Sequence, residues 1–208
     1  MAFMPLVDVP LDVDDASIPG DVLRFLAEAD RRIEWYQRDS RVPGFVASDA
    51  ERTYHVLRSV ASAYAKPGAL FCEWGSGLGV ITCMAAMLDF DAVGIEIEEE
   101  LVAGAQELAR DFDVPAEFVH GSFLPHGCHF RSGGGDGFAW LKTERAGRDD
   151  LPFDPDDFAV IFAYPWPDEE DVAAIVFERY AAVGALLVTF HGGDVFRLRR
   201  KVGKKARR

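Results

Sequence analysis

The chain has 208 residues, 49% of them hydrophobic, which is enough for one α/β domain with a full core. Its net charge of −13 argues against a body that wraps nucleic acid. No apolar run reaches the ~18 residues needed to span a bilayer, and Met1–Pro10 lacks the basic-then-apolar order of a signal peptide.

Residues 1–16 are rich in Pro and Asp and show no period, so an irregular segment is expected. From Ile18, apolar residues recur at Val22, Phe25, Leu26, Ala29, Ile33 and Tyr36, the spacing of an amphipathic helix. Pro43-Gly44 marks a turn. Ser48-Asp-Ala-Glu51 then reads as a capping box, and Val56, Leu57, Val60, Ala61 and Tyr64 line one face of the helix it opens. Lys66-Pro67-Gly68 ends that helix.

Strand and helix then alternate. Residues 69–74 form a short apolar strand and 78–88 a helix; 91–97 form a strand and 98–112 a helix. Residues 116–120 read as a third strand and 158–163 as a fourth, 168–182 as a helix and 185–190 as a fifth strand. Near-continuous apolar strands separated by helices imply a doubly wound, mainly parallel α/β sheet covered on both faces. Residues 125–157 interrupt the pattern with Ser132-Gly-Gly-Gly-Asp-Gly137 and several Pro and Asp, as an insertion would. Little chain remains after the fifth strand, so the C-terminal sheet edge should be short; Phe196-Arg-Leu-Arg alternates as an edge strand would. The expected organisation is therefore residues 1–66 as an irregular segment and helices packing on the core, 67–196 as the core with its insertion, and 197–208 as a basic tail.

That tail holds eight Lys and Arg and no acid. It reads as a solvated end, with contact to RNA as the less favoured alternative. Cys72 lies in a strand pattern and Cys83 in a helical one, so both are expected as small buried hydrophobes in a reducing compartment. A cytoplasmic protein with no membrane contact follows.

The segment Glu73-Trp-Gly-Ser-Gly-Leu-Gly79 lies between the first core strand and its helix. Ligands of doubly wound sheets bind at the carboxyl ends of such strands, where glycines let backbone approach them closely. A dinucleotide fingerprint would place its last glycine at Val80, which breaks it. A pyrophosphate would also not welcome Glu73 two residues before the first glycine, whereas a cationic ligand would. S-adenosylmethionine carries an ammonium and a sulfonium, so Glu73 is expected to attract its amino-acid end, with Gly75, Ser76 and Gly77 around it. Glu96 ends the second core strand 19 residues after Gly77, placed to accept both ribose hydroxyls, and Ile97 can cover the adenine. Ser122 and Phe123, at the end of the third strand, meet the adenine edge or form a plain turn.

Taken in order, Glu73–Gly79, Gly94–Ile97, Gly121–Phe123 and the segment after the fourth strand resemble the class I methyltransferase family over roughly residues 68–190. The resemblance implies a Rossmann-like methyltransferase fold and S-adenosylmethionine as cofactor. Ser122 departs from it, standing where the family often has an acid. After the fourth strand, Ala163-Tyr-Pro-Trp-Pro167 occupies the position that in this family faces the transferred methyl. Amino-methylating members often carry Asn/Asp-Pro-Pro-aromatic there. Pro165 and Trp166 match that pattern; Ala163 replaces its polar residue and Tyr164 its first proline. Tyr164 and Trp166 are thus the expected acceptor-side residues, Trp166 lying against a cationic nitrogen. Gly44-Phe-Val-Ala-Ser-Asp49 further resembles the entry segment of small protein-lysine methyltransferases, which implies Phe45 and Ser48 near the methionine end of the cofactor.

His120, His126, Cys128 and His129 lack the paired spacing of a zinc site, so no metal is expected, and His191-Gly-Gly-Asp194 reads as a turn. The leading expectation is methyl transfer to a nitrogen of a protein (lysine) or small molecule. The rival is a non-catalytic module of the same fold that binds the cofactor or a partner, and a nicotinamide oxidoreductase is disfavoured by Val80 and Glu73.

Overall fold

The computed structural model describes residues 6–38, 45–124, 153–166, 170–192 and 195–203. Most of the expected insertion, including His126, Cys128 and His129, lies outside them, as do Pro43-Gly44, Pro167 and the end of the basic segment.

Seven strands form one sheet: β1 (Leu6–Asp8), β2 (Leu70–Trp74), β3 (Asp91–Glu96), β4 (Glu117–His120), β5 (Val160–Ala163), β6 (Leu186–Phe190) and β7 (Phe196–Lys201). Five helices accompany them: α1 (Gly20–Arg38), α2 (Ala50–Tyr64), α3 (Val80–Met87), α4 (Glu99–Asp111) and α5 (Glu170–Tyr180). The spatial order is β1-β7-β6-β5-β2-β3-β4. β2 pairs in parallel with β3 on one side and β5 on the other, so the chain reverses its direction of winding there and opens a crevice at the carboxyl end of β2.

Both faces of the sheet are covered, which is why its central strands are apolar throughout. Helices α1 to α4 pack on the face carrying Phe71, Phe162 and Val188, while α5 packs on Cys72, Ile161 and Leu187. Helix α3, Val-Ile-Thr-Cys-Met-Ala-Ala-Met, is apolar on almost every side because it is enclosed between the sheet and α2. No described helix is long and apolar enough to cross a membrane.

Helix α2 starts one residue later than a cap at Ser48 would place it. Asp49 is the N-cap, and its carboxylate accepts from Arg52 N at 3.0 Å. Either residue can cap in principle; the backbone path into the helix selects Asp49.

The sheet extends further than expected at both chain ends. The strand expected from Phe196-Arg-Leu-Arg is β7, antiparallel to β6 with Leu187 opposite Arg199, and it runs on through Lys201 into residues expected in a solvated basic tail. Leu6–Asp8, expected to be irregular, pair antiparallel with β7 and so form the outermost strand. Leu198 is buried against the helical face, the Arg200 guanidinium lies 5.5 Å from the Tyr64 ring centre, and Lys201 donates to the Ala181 carbonyl. A cation-rich run becomes a strand because its apolar stems cover core while the charged heads find carbonyls, rings and Asp8. Three residues are too few to show a period of two, so β1 left no signal in the sequence; it forms because β7 otherwise presents an unpaired edge.

Deleting residues through Asp8 is expected to lower stability by at least about 2 kcal/mol, from the lost ladder bonds, and to promote association through the bared edge of β7. Urea unfolding and concentration-dependent light scattering check this; an unchanged midpoint would refute it.

Candidate active site

The crevice at the carboxyl end of β2 is a cavity of about 570 Å³. The register sets its walls. Trp74 pairs with Ala163, so the glycine loop that follows β2 and the Tyr164–Trp166 segment that follows β5 leave the sheet side by side. Glu96 pairs with His120, which brings Gly121–Phe123 beside Ile97. Gly75, Ser76, Gly77, Glu73, Glu96, Ile97, Ser122, Phe123, Tyr164 and Trp166, the residues expected from the sequence, all line this one cavity.

The glycine loop is shaped by backbone demands. Gly75, Gly77 and Gly79 have φ of 74°, 54° and 70°, in the left-handed region that side chains disfavour. At Gly79 a Cβ would lie 2.2 Å from the Phe118 ring, so this glycine also lets α3 approach β4. At Gly77 a Cβ would lie 2.8 Å from Phe45, whose ring therefore rests on the loop. Gly75 and Ser76 both donate backbone N–H bonds to the Ile95 carbonyl, tying the loop to β3. The Ser76 hydroxyl is buried near Gly94 without a hydrogen-bond partner.

The Glu96 carboxylate organises the far side. It accepts from Gly77 N at 2.8 Å through one oxygen, and from Ile97 N at 2.8 Å and Glu98 N at 3.0 Å through the other. One acid thus holds the glycine loop and the entrance to α4 together. Ser122 Oγ accepts from Leu124 N, and the Phe123 ring stacks on Trp74 with centres 5.0 Å apart. His120 donates to the Ile97 carbonyl at 3.0 Å. No group of three or more His, Cys, Asp or Glu suited to a metal exists among the described residues.

Glu73 is buried, and its carboxylate accepts from both the backbone N–H (2.9 Å) and the hydroxyl (2.6 Å) of Thr82. Thr82 was not expected at the site. Its only sequence signal is a hydroxyl inside an otherwise apolar helix, nine residues after Glu73. Burial pushes the Glu73 carboxyl up to about 8 against the pull of Thr82, and the neighbouring Glu96 carboxylate adds to the rise. The cavity lining contains three carboxyl groups, Glu73, Glu96 and Glu98, and no Lys, Arg or His among the described residues.

After β5, the Tyr164 ring packs on Phe190 with centres 4.7 Å apart, and its hydroxyl faces Gly192 after β6. Pro165 is buried and Trp166 is 37% exposed at the mouth. Ala163 is fully buried and brings no polar group. Sequence reasoning did not anticipate Ile33 of α1 or Val46 in this wall. Ile33 carries only an ordinary core spacing, and tertiary packing alone brings α1 to the cavity.

No protein-family profile and no curated protein sequence matches the chain. Solved structures do. An RNA methyltransferase from Salinibacter ruber in complex with S-adenosyl-L-homocysteine superposes over 78% of this chain and 97% of its own, at 18% identity and a TM-score of 0.50. A methyltransferase from Geobacter sulfurreducens covers 89% of this chain and 99% of its own, at 15% identity and a TM-score of 0.50. The chain has the Rossmann-like methyltransferase fold. A protein from Corynebacterium glutamicum shares the architecture over 93% of this chain and 94% of its own, at 11% identity and a TM-score of 0.57.

Two expectations follow. An acid that holds its proton more tightly when folded stabilises the fold where it is protonated, so the Glu73 contribution is full below its ordinary value of 4.5 and is lost as pH rises towards about 8. The ligand-free protein should melt at falling temperature across that window, and Glu73→Gln should flatten the profile; parallel profiles would refute the assignment. Gly79→Ala should cost about 2–4 kcal/mol in urea unfolding, combining left-handed strain with the clash on Phe118.

Proposed function

We propose that this chain is an S-adenosylmethionine-dependent methyltransferase acting on a nitrogen of a protein lysine or a small molecule. The observation that carries the reading is the pair of buried carboxyl groups, Glu73 and Glu96, flanking a glycine loop in a cavity whose described lining has no cation. Carboxyl oxygens in an apolar lining can accept hydrogen bonds from a cationic ligand, and its approach would favour ionisation of Glu73. The residues present fit this cofactor. Glu73 meets the ammonium end, Gly75 and Gly77 leave room for close backbone approach, Glu96 takes the ribose hydroxyls, and Ile97, Ser122 and Phe123 border the adenine. The S-adenosyl-L-homocysteine held by the Salinibacter ruber protein, of the same fold, supports the assignment.

Bound in the cleft, the cofactor would supply an electrophilic methyl group to an acceptor nitrogen, which, cationic on arrival, must first release a proton to solvent to free the lone pair that takes the methyl. The chain's own contribution is alignment and exclusion of water by Phe45, Tyr164 and Trp166. Trp166 offers a ring face to a cationic nitrogen. Cytoplasmic residence is part of the same proposal, and the buried free thiols of Cys72 and Cys83 support it. A second reading, a module of this fold that binds cofactor or partner without catalysis, is favoured by Ala163 alone, since the acceptor position has no polar side chain.

Calorimetry with S-adenosylmethionine should show binding that Glu96→Ala weakens by about 1–3 kcal/mol, as befits loss of charged hydrogen bonds. Labelled methyl should then appear in a component of a fractionated extract. No binding would sink the methyltransferase reading and the cofactor-binding form of the second; binding without any transfer would leave only the second.

A further inference from the structure

The cavity lining is apolar as well as acidic. Beyond the glycine loop, its wall is formed by Ile33, Phe45, Val46, Tyr164, Pro165 and Trp166. This wall continues to the surface, where Val46 is 50% and Trp166 37% exposed. Apolar side chains open to solvent at the rim of a deep cavity mark a surface that a ligand covers.

Charge narrows the choice of ligand. The described lining is acidic at its inner end and carries no cation to receive a phosphate. The cations of β7 lie away from it, Arg199 buried in the sheet among them. Arg197 pairs with Asp8, Arg200 lies over Tyr64, and Lys201 donates to the Ala181 carbonyl. None of them borders the cavity. Among the described residues, a polyanion approaching the rim would meet carboxylates without counter-charge, and its affinity rests on such counter-charge.

We propose that the acceptor is an amine carried on an apolar, preferably aromatic, body that enters between Val46 and Trp166, with Trp166 as the specificity-determining contact. The proposal rests on the methyltransferase reading and deepens it. The apolar body displaces water from Val46, Phe45 and Trp166, and the amine, cationic when it arrives, gains from the Trp166 ring and from the negative field of the inner carboxylates. Ala163 then needs no polar replacement, because recognition lies in the body of the acceptor rather than in a hydrogen bond to its nitrogen.

The test is binding, read by calorimetry on the full chain saturated with S-adenosylhomocysteine. The probes are 2-phenylethylamine, ethylamine and a short single-stranded RNA. Saturable binding of 2-phenylethylamine is expected, at least ten-fold tighter than ethylamine, and weakened about ten-fold by Trp166→Ala and several-fold by Val46→Ser. S-adenosylhomocysteine binding by each variant is measured first and should be unchanged. If the wild-type chain does not bind S-adenosylhomocysteine, the methyltransferase reading falls and this proposal with it. If it binds S-adenosylhomocysteine but takes ethylamine as tightly as 2-phenylethylamine, or neither, or if the RNA displaces the amine, only the present proposal is overturned. Equal amine binding by wild type and Trp166→Ala removes Trp166 from the role.

Discussion

The Glu96 carboxylate accepts backbone N–H bonds from Gly77, Ile97 and Glu98, and the site is arranged around those three contacts. Glu96 ends a parallel strand, where the sheet has run out of ladder partners and the next residues turn into α4. A charged acceptor placed there satisfies amides that neither helix nor sheet can serve, and it draws the glycine loop of the adjacent strand towards it. Together with the Gly75 and Ser76 N–H bonds to the Ile95 carbonyl, that link joins the loop after β2 to the end of β3. With it they form two sides of one cleft.

The second carboxyl group is held differently. Glu73 lies deeper, receives both donors of Thr82, and keeps its proton well above the ordinary carboxyl range because it is buried beside Glu96. Two buried acids, one satisfied by amides and the other by a threonine, thus face one apolar enclosure in different ways: Glu96 offers its oxygens to backbone N–H groups, while burial favours the protonated form of Glu73.

The opposite end of the cleft works by shape and apolar surface. Tyr164 is fixed against Phe190, Pro165 is buried, and Trp166 stands at the rim. Phe45 bridges the two ends, since its ring touches Gly77 while also facing Tyr36 of α1 edge-on. The helical layer outside the central sheet thereby takes part in the site. Gly104 of α4 sits so close to Tyr36 and Leu78 that a Cβ there would lie 2.8 Å from each, which lets α1 settle over α4 and bring Ile33 to the cavity.

Much of this was legible in the order of residues. The alternation of apolar runs with amphipathic stretches specifies strand and helix locally, and the acid-x-G-x-G-x-G loop followed by Glu96 specifies where two strands must end together, because hydrophobic period and glycine placement act over a few residues. What the residue order could not reveal depends on contacts between distant segments. Thr82 becomes a partner of Glu73 only once α3 folds back on β2. Asp49 displaces Ser48 as a cap because of the backbone path into α2. Leu6–Asp8 become a strand because β7, which the Phe196-Arg-Leu-Arg alternation did signal, would otherwise lack a partner on its outer side, a pairing between distant segments that no local pattern encodes.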